Sequence, residues 1–356
     1  MKTIMQNLKG LSIAVIGGCI ALKLDFPLPW LLGPLIISIL ANAFKFKTDC
    51  HIAWRKSGQW IIGTGLGLYF TPQMVNLIFN NIGALALGVL WALVLGCIFS
   101  LIQYRYHKLD WATAWFSSCI GGASEMVNLA QRYNAEADKV AASHSLRIVL
   151  LVIIVPIFIQ LNYSVNSDTL TYKIYPDHNS LDLILLLILS LLGVKAAQFL
   201  NILNPWVLGP IMMIGILTFF DFKLGVLPQY LIAFGQLCIG WSLGSKLPLN
   251  FFRLNQGFVL LSLTMNIVAL VFSIVLAQYI AQYFSVDPAT MVLGFAPGGI
   301  AEMTLIAKAL NLVVPLVVAY QLLRLIVVLV TCDFFYRLGL KLLKSLIKNT
   351  DNKSLG

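Results

Sequence analysis

Apolar residues run almost unbroken through this chain, in stretches parted by short polar and basic segments. In the first half the stretches cover about 9–24, 28–44, 57–70, 81–103, 111–130 and 140–161. In the second half they cover about 182–200, 205–220, 228–245, 256–284, 289–309 and 314–340. Some reach the ~20 residues that a helix needs to cross a bilayer, and several fall short. Two short ones, 57–70 and 228–245, carry glycines and read as broken or tilted helices that line a cavity. Composition agrees: 59% of residues are hydrophobic and only 11% charged, against about 25% charged in a soluble domain. The pattern predicts an all-α polytopic membrane protein.

The two halves match each other. Pro29-Trp30-Leu31-Leu32-Gly33-Pro34 returns as Pro205-Trp206-Val207-Leu208-Gly209-Pro210, 176 positions on. After a shift of one residue the spacing holds at 177: Gly58 with Gly235, Gly63 with Gly240, Gly67 with Gly244, Glu125 with Glu302, Met126 with Met303 and Arg147 with Arg324. Such self-similarity predicts a duplication. The boundaries it sets are a first membrane repeat at 1–161, a polar linker at 162–181, a second repeat at 182–345 and a basic tail at 346–356.

The matched positions include two unusual stretches. Gly121-Gly122-Ala123-Ser124-Glu125-Met126 and Pro297-Gly298-Gly299-Ile300-Ala301-Glu302-Met303 each set a glycine pair and a carboxylate within an apolar run. Adjacent glycines weaken a helix and admit close approach. An acid in lipid costs roughly 2.5–3.5 kcal/mol even on the lenient insertion scale.

Basic residues set the orientation. Lys2 and Lys9 precede the first run without a small-residue cleavage site, so that run reads as a retained membrane segment. With the N-terminus inside, the loops holding Lys45, Lys47, Arg55 and Lys56, then Arg105 and Lys108, fall inside too. If each glycine-pair segment is re-entrant, Arg132, Lys139, Lys246, Arg253 and the tail also fall inside, and the acidic linker outside. Six full crossings per half would reverse the linker and the Lys246–Arg253 loop against the rule. The expected architecture is therefore two inverted repeats of about five transmembrane helices, each with one glycine-pair re-entrant or broken segment. Both termini are then cytoplasmic.

The expected substrate- or ion-binding residues are Gly121, Gly122, Ser124, Glu125 and Arg147 with Gly298, Gly299, Glu302 and Arg324. The glutamates are either structural or a proton or cation site, since carboxylates in apolar surroundings can exchange protons near neutrality. The arginines, each 22 residues after its glutamate, are either structural partners of those acids or forks for a carboxylate or phosphate. Pairing of Arg147 with Glu125 or Glu302 is expected, because an unpaired charge in lipid is costly. Trp30 and Trp206 suit the membrane interface. Ser117, Ser118, Ser124, Asn128 and Thr304 suit either a polar pathway or, better, plain helix packing.

Other chemistries find little support. The six cysteines form no Cys-x-x-Cys pair and the four histidines no ligand spacing, so neither metal nor cofactor is expected. No Walker sequence occurs. The net charge of +10 sits in short loops and the tail, which argues for orientation and against direct nucleic-acid binding.

On its Pro-Trp-x-x-Gly-Pro and Gly-Gly-x-x-Glu-Met pairs, and over nearly its whole length, the chain resembles the bacterial membrane-protein family AbrB, which has a duplicated hydrophobic region. That family is distinct from the small soluble DNA-binding protein of the same name. The resemblance brings two labels with it, regulator of gene expression and ammonia monooxygenase; neither follows from the residues. The layout is also similar to that of glutamate and 2-hydroxycarboxylate symporters, from which the carboxylate after each glycine pair departs. The expectation is a secondary transporter of a small metabolite, with an anion compatible, rather than an enzyme. A proton or sodium is the coupling ion the pattern admits. Partners are a substrate, membrane lipid and, compatibly, a second copy of the chain. An indirect membrane regulator is the alternative, and an ammonia oxidase is disfavoured for want of metal or flavin ligands.

Overall fold

The computed structural model describes residues 2–353 apart from 27, 45, 47, 48, 164–179, 203, 223, 224, 226 and 248; side chains at 2–6, 124, 180, 249–251 and 344–353 also lie outside the description. The expected linker falls almost wholly among the undescribed residues. All regular structure among the described residues is helical.

Two bundles form. The first takes α1 (Lys2–Lys23), α2 (Pro29–Ala43) and α3 (Ile52–Gly67) from one half and α9 (Ser180–Phe199), α10 (Pro205–Phe219) and α11 (Gln229–Ser245) from the other. In it α1 packs on α2, α9 on α10, and α3 and α11 against each other, with α2 on α11 and α10 on α3. The second bundle holds α5 (Ile82–His107), α6 (Trp111–Ser118), α7 (Ala123–Arg132) and α8 (Ala137–Asn162), then α13 (Gln256–Phe284), α14 (Pro288–Phe295), α15 (Ile300–Ala309) and α16 (Val314–Lys353). Two short helices, α4 (Pro72–Asn80) and α12 (Leu249–Leu254), lead from one bundle to the other. The hydropathy pattern gave no sign of either. Among the described residues, α5, α8, α9, α13 and α16 contain stretches long and apolar enough to span a membrane, and α2 and α10 are shorter apolar helices. The chain is a multi-pass membrane protein. α16 continues through residue 346, where the tail was expected to begin.

Glycine sets the closeness of the first bundle. A Cβ on Gly17 of α1 would stand 2.6 Å from the carbonyl oxygen of Gly33 in α2, and one on Gly193 would stand 2.5 Å from that of Gly209. α3 and α11 touch at Gly58 and Gly235, where a Cβ on Gly58 would lie 2.8 Å from the Gly235 oxygen. Small residues of this kind let membrane helices meet backbone to backbone. Of the reading of 57–70 and 228–245 as broken or tilted helices that line a cavity, the break is corrected: α3 and α11 are continuous helices, and residues of each line a cavity. Their glycines serve packing, and the breaks fall instead between α6 and α7 and between α14 and α15.

Backbone geometry recurs with the sequence spacing. Left-handed residues include Lys108 with Ser285 and Asn134 with Asn311, each pair 177 apart, and Leu28 with Asn204, 176 apart.

Candidate functional site

Each glycine-pair stretch forms the tip of a helical hairpin. Past α7, the Glu136 N–H donates to Thr113 Oγ1 at 2.9 Å, so the chain has come back beside the start of α6. The rings of Phe116 and Tyr133 stack across the same pair, 5.5 Å apart. In the second half the Val313 N–H donates to Thr290 Oγ1 at 3.3 Å, the same bond 177 residues on. Both hairpins start on an aspartate cap: Asp110 accepts from the Thr113 N–H at 2.9 Å and Asp287 from the Thr290 N–H at 2.7 Å. Replacing either aspartate with alanine is expected to cost about 1 kcal/mol, readable as a lowered melting temperature in detergent.

A break in a helix leaves the last carbonyls of its first part without partners. Here α8 and α16 supply them. His144 Nε2 donates to the Phe116 carbonyl at 2.9 Å. Arg147 donates to the carbonyls of Cys119 and Gly121, both at 3.3 Å. In the second half Gln321 Nε2 donates to the Leu293 carbonyl at 2.8 Å. Arg324 donates to those of Ala296 at 2.8 Å and Gly298 at 2.5 Å. Every one of these bonds is matched 177 residues away. His144 and its counterpart Gln321 therefore do one structural job with different chemistry.

This corrects the expected Arg–Glu pair. Among the described residues neither arginine forms a salt bridge with Glu125 or Glu302; both guanidiniums are spent on loop carbonyls. The cation thereby sits at the negative C-terminal end of a half-helix. Each Nε is buried and has no hydrogen-bond partner among the described residues.

The glutamates sit at the opposite pole. Gly122 and Gly299 are the N-caps of α7 and α15, and Glu125 and Glu302 fall in the first turn. Anions are favoured at that end, where backbone N–H groups are unpaired. Both side chains fold back over the glycine, so that a Cβ on Gly122 would collide with Glu125 Oε2, and one on Gly299 with Glu302 Oε2. Glycine at these two caps is what makes room for the carboxylates.

The two tips meet at a cavity of about 320 Å³ between the bundles. Gly121, Gly122, Glu125 and Arg147 line it from one half and Gly298, Gly299, Glu302 and Arg324 from the other. Of the residues expected at the site, Ser124 has its side chain outside the described residues. Five polar residues the sequence reading did not assign to the site also line it: Arg55, Lys56 and Gln59 of α3, Asn204 before α10, and Lys246 at the end of α11. Burial first, and Arg55 second, push the Lys246 ammonium below its ordinary pKa. Trp206 lines the cavity with its ring 5.5 Å from Lys56 Nζ, rather than serving only as an interface anchor. Five basic side chains thus face two acidic ones. Of the expected pathway residues, Ser117 donates to Gln103 at 2.6 Å and Thr304 to the Ile300 carbonyl at 2.6 Å, so these two hydroxyls serve packing.

Comparison with known proteins finds one family and two similar chains. A family described as "Transition state regulatory protein AbrB" matches residues 30–339. "Uncharacterized protein YhjN" of Bacillus subtilis (strain 168) is 23% identical over 364 residues, covering 95% of this chain and 94% of that protein. "Putative regulator AbrB" of Escherichia coli (strain K12) is 25% identical over 321 residues, covering 87% and 89%. No solved structure matches the chain. The match spans both hairpins, both arginines and most of the helices that carry them, and the chain belongs to the AbrB family of membrane proteins.

Proposed function

We propose that the chain is a secondary transporter of a small anionic metabolite in the bacterial inner membrane, with its substrate site where the two hairpin tips meet. The cavity carries this reading: it is within the size range of ligand pockets, and five basic side chains outweigh two acids on its wall. Discontinuous helices whose broken ends face a cavity between two repeats are a recurring plan for such sites. The positive-inside rule puts Arg55, Lys56 and Lys246 on the cytoplasmic side, so the cavity opens inward and the halves run in inverted orientation. An anionic substrate supplies Lys246 with a counter-charge. The glutamates at the half-helix N-termini are then the seat of a coupling proton or sodium.

The test is counterflow in proteoliposomes loaded with pooled small carboxylates and phosphates. Lys246→Glu combined with Arg55→Glu is expected to raise the KM for the transported anion at least tenfold. An unchanged KM, or uptake of cations alone, would overturn the anion assignment.

The name of the Escherichia coli relative, "Putative regulator AbrB", supports a second reading. An effect on gene expression then passes through a metabolite this protein moves or a partner it holds. A transcript response that persists in a transport-dead variant would favour the held partner.

A further inference from the structure

A second cleft, of about 800 Å³ and mostly apolar, lies between the first bundle and the end of α15. Among its lining residues are Gln229, Ile232, Ala233 and Gln236 of α11. Those positions follow Ile52, Arg55, Lys56 and Gln59 by 177, and all four of the latter line the cavity at the hairpin tips. Trp30 completes the match: it lines the second cleft as Trp206, 176 positions later, lines the first. The two clefts are therefore the same surface of the duplicated first bundle, seen once in each half.

They differ in what occupies them. The hairpin tips border the first cleft, while the second is bordered by Lys308 and Ala309 at the base of the second hairpin. Lys308 Nζ rests 5.7 Å from the ring centre of Tyr69, and a Cβ on Gly65 would stand 3.5 Å from it. The base of the second hairpin is thus docked on α3. In the other half the counterpart of Tyr69 is Lys246 and the counterpart of Lys308 is Gln131. There Lys246 faces the open cavity instead.

We infer that the second cleft is the alternate station of the hairpin tips. Two halves with the same backbone plan can adopt one asymmetric arrangement or its exchanged counterpart, and a minor state held at about 0.1–10% is enough for function. In the exchanged state Lys308 leaves Tyr69, Gln131 docks at Lys246, and the tips face Gln236 and Trp30. Rigid-body motion of one repeat-derived bundle against the other around a fixed site is the general route to alternating access. The stations differ in charge. Among the described residues Lys308 is the one charged lining residue of the second cleft, where Ile232 and Ala233 stand in the places of Arg55 and Lys56. An anion is therefore held more weakly there. This inference rests on the transporter reading for its cargo; the movement itself is tested without cargo.

The experiment uses a chain with its native cysteines replaced and a protease site inserted between residues 164 and 179, so that a bridge between halves keeps a cut chain at full size on a gel. Tyr69→Cys with Lys308→Cys reports the present state, and Gln131→Cys with Lys246→Cys the exchanged one. Bridging in membrane vesicles uses a short bismaleimide. Each pair is expected to bridge, and in the four-cysteine chain either bridge is expected to lower the yield of the other at least tenfold. The 131–246 bridge should also raise labelling of Gln236→Cys by a membrane-impermeant thiol reagent and lower that of Gln59→Cys. If Tyr69→Cys reduces the yield of folded protein, Gly65→Cys takes its place.

Both bridges in one molecule would overturn the inference. So would a 131–246 pair that never bridges although each cysteine is labelled singly. Labelling at 236 indifferent to either bridge would make the cleft a passive lipid groove and overturn it as well. If no tested anion is transported yet the bridges exchange, the movement stands and the transporter reading is what fails.

Discussion

Replacing Arg324 with methionine is expected to loosen the tip of the second hairpin and to cost about 3 kcal/mol of stability, from two hydrogen bonds to a charged group at ~1.5 kcal/mol or more each. The acceptors are the carbonyls of Ala296 and Gly298, at 2.8 and 2.5 Å, in the gap where helical bonding is interrupted. Both carbonyls belong to buried residues, where an unmade hydrogen bond is costly. Arg324→Lys keeps the charge but lacks the fork that reaches two carbonyls at once, so it should fall between the parent and methionine. Arg147→Met should act in the same direction and less strongly, because its two bonds are longer, both 3.3 Å. Thermal unfolding in detergent and protease cutting at 296–299 measure both effects. A methionine variant as stable as the parent would mean that the carbonyls find other donors and that the arginine exists for cargo.

The arginines also show where sequence reading reached its limit. The helical membrane plan and the interruptions at the two glycine pairs were legible because each depends on residue type at fixed spacing, whereas the role of Gly122 and Gly299 as helix N-caps appears only in the structure. The partner of Arg147 was not legible, because its acceptors are the backbone oxygens of Cys119 and Gly121, which side-chain patterns do not display. One signal pointed to them. A glycine pair that interrupts a helix must leave orphaned carbonyls, and the nearest buried cation on a neighbouring helix is the group best suited to them. Arg55, Lys56 and Lys246 escaped for another reason. Their charge was fully explained by topology, and nothing in the loops shows that α3 and the end of α11 converge on the hairpin tips. The glycines of α3 and α11 were misread because a glycine that breaks a helix and one that admits a neighbouring backbone look alike until the neighbour is placed. Gly58 against Gly235 is the second kind.

Glu125→Gln and Glu302→Gln are expected to abolish ion-driven accumulation while sparing substrate exchange and leaving stability close to that of the parent. Glutamine keeps the shape of the side chain folded over the glycine, but it cannot carry a proton or neutralise sodium. Gly122→Leu and Gly299→Leu should fail differently, with poor folding yield and loss of exchange together. A side chain at either cap occupies the space of the carboxylate oxygen folded over it, and overpacking costs about 1–3 kcal/mol. The smaller Gly122→Ala separates space from chemistry. On its own it should lower the melting temperature and weaken coupled uptake, because the Glu125 carboxylate must swing out of the first turn of α7. Combined with Glu125→Ala, which removes the colliding oxygen, it should recover stability but not coupling. If Gly122→Ala costs as much stability with Glu125→Ala as without it, then the glycine does not exist to seat that carboxylate. If both glutamine variants, singly and together, still drive accumulation, the carboxylates are caps and nothing more.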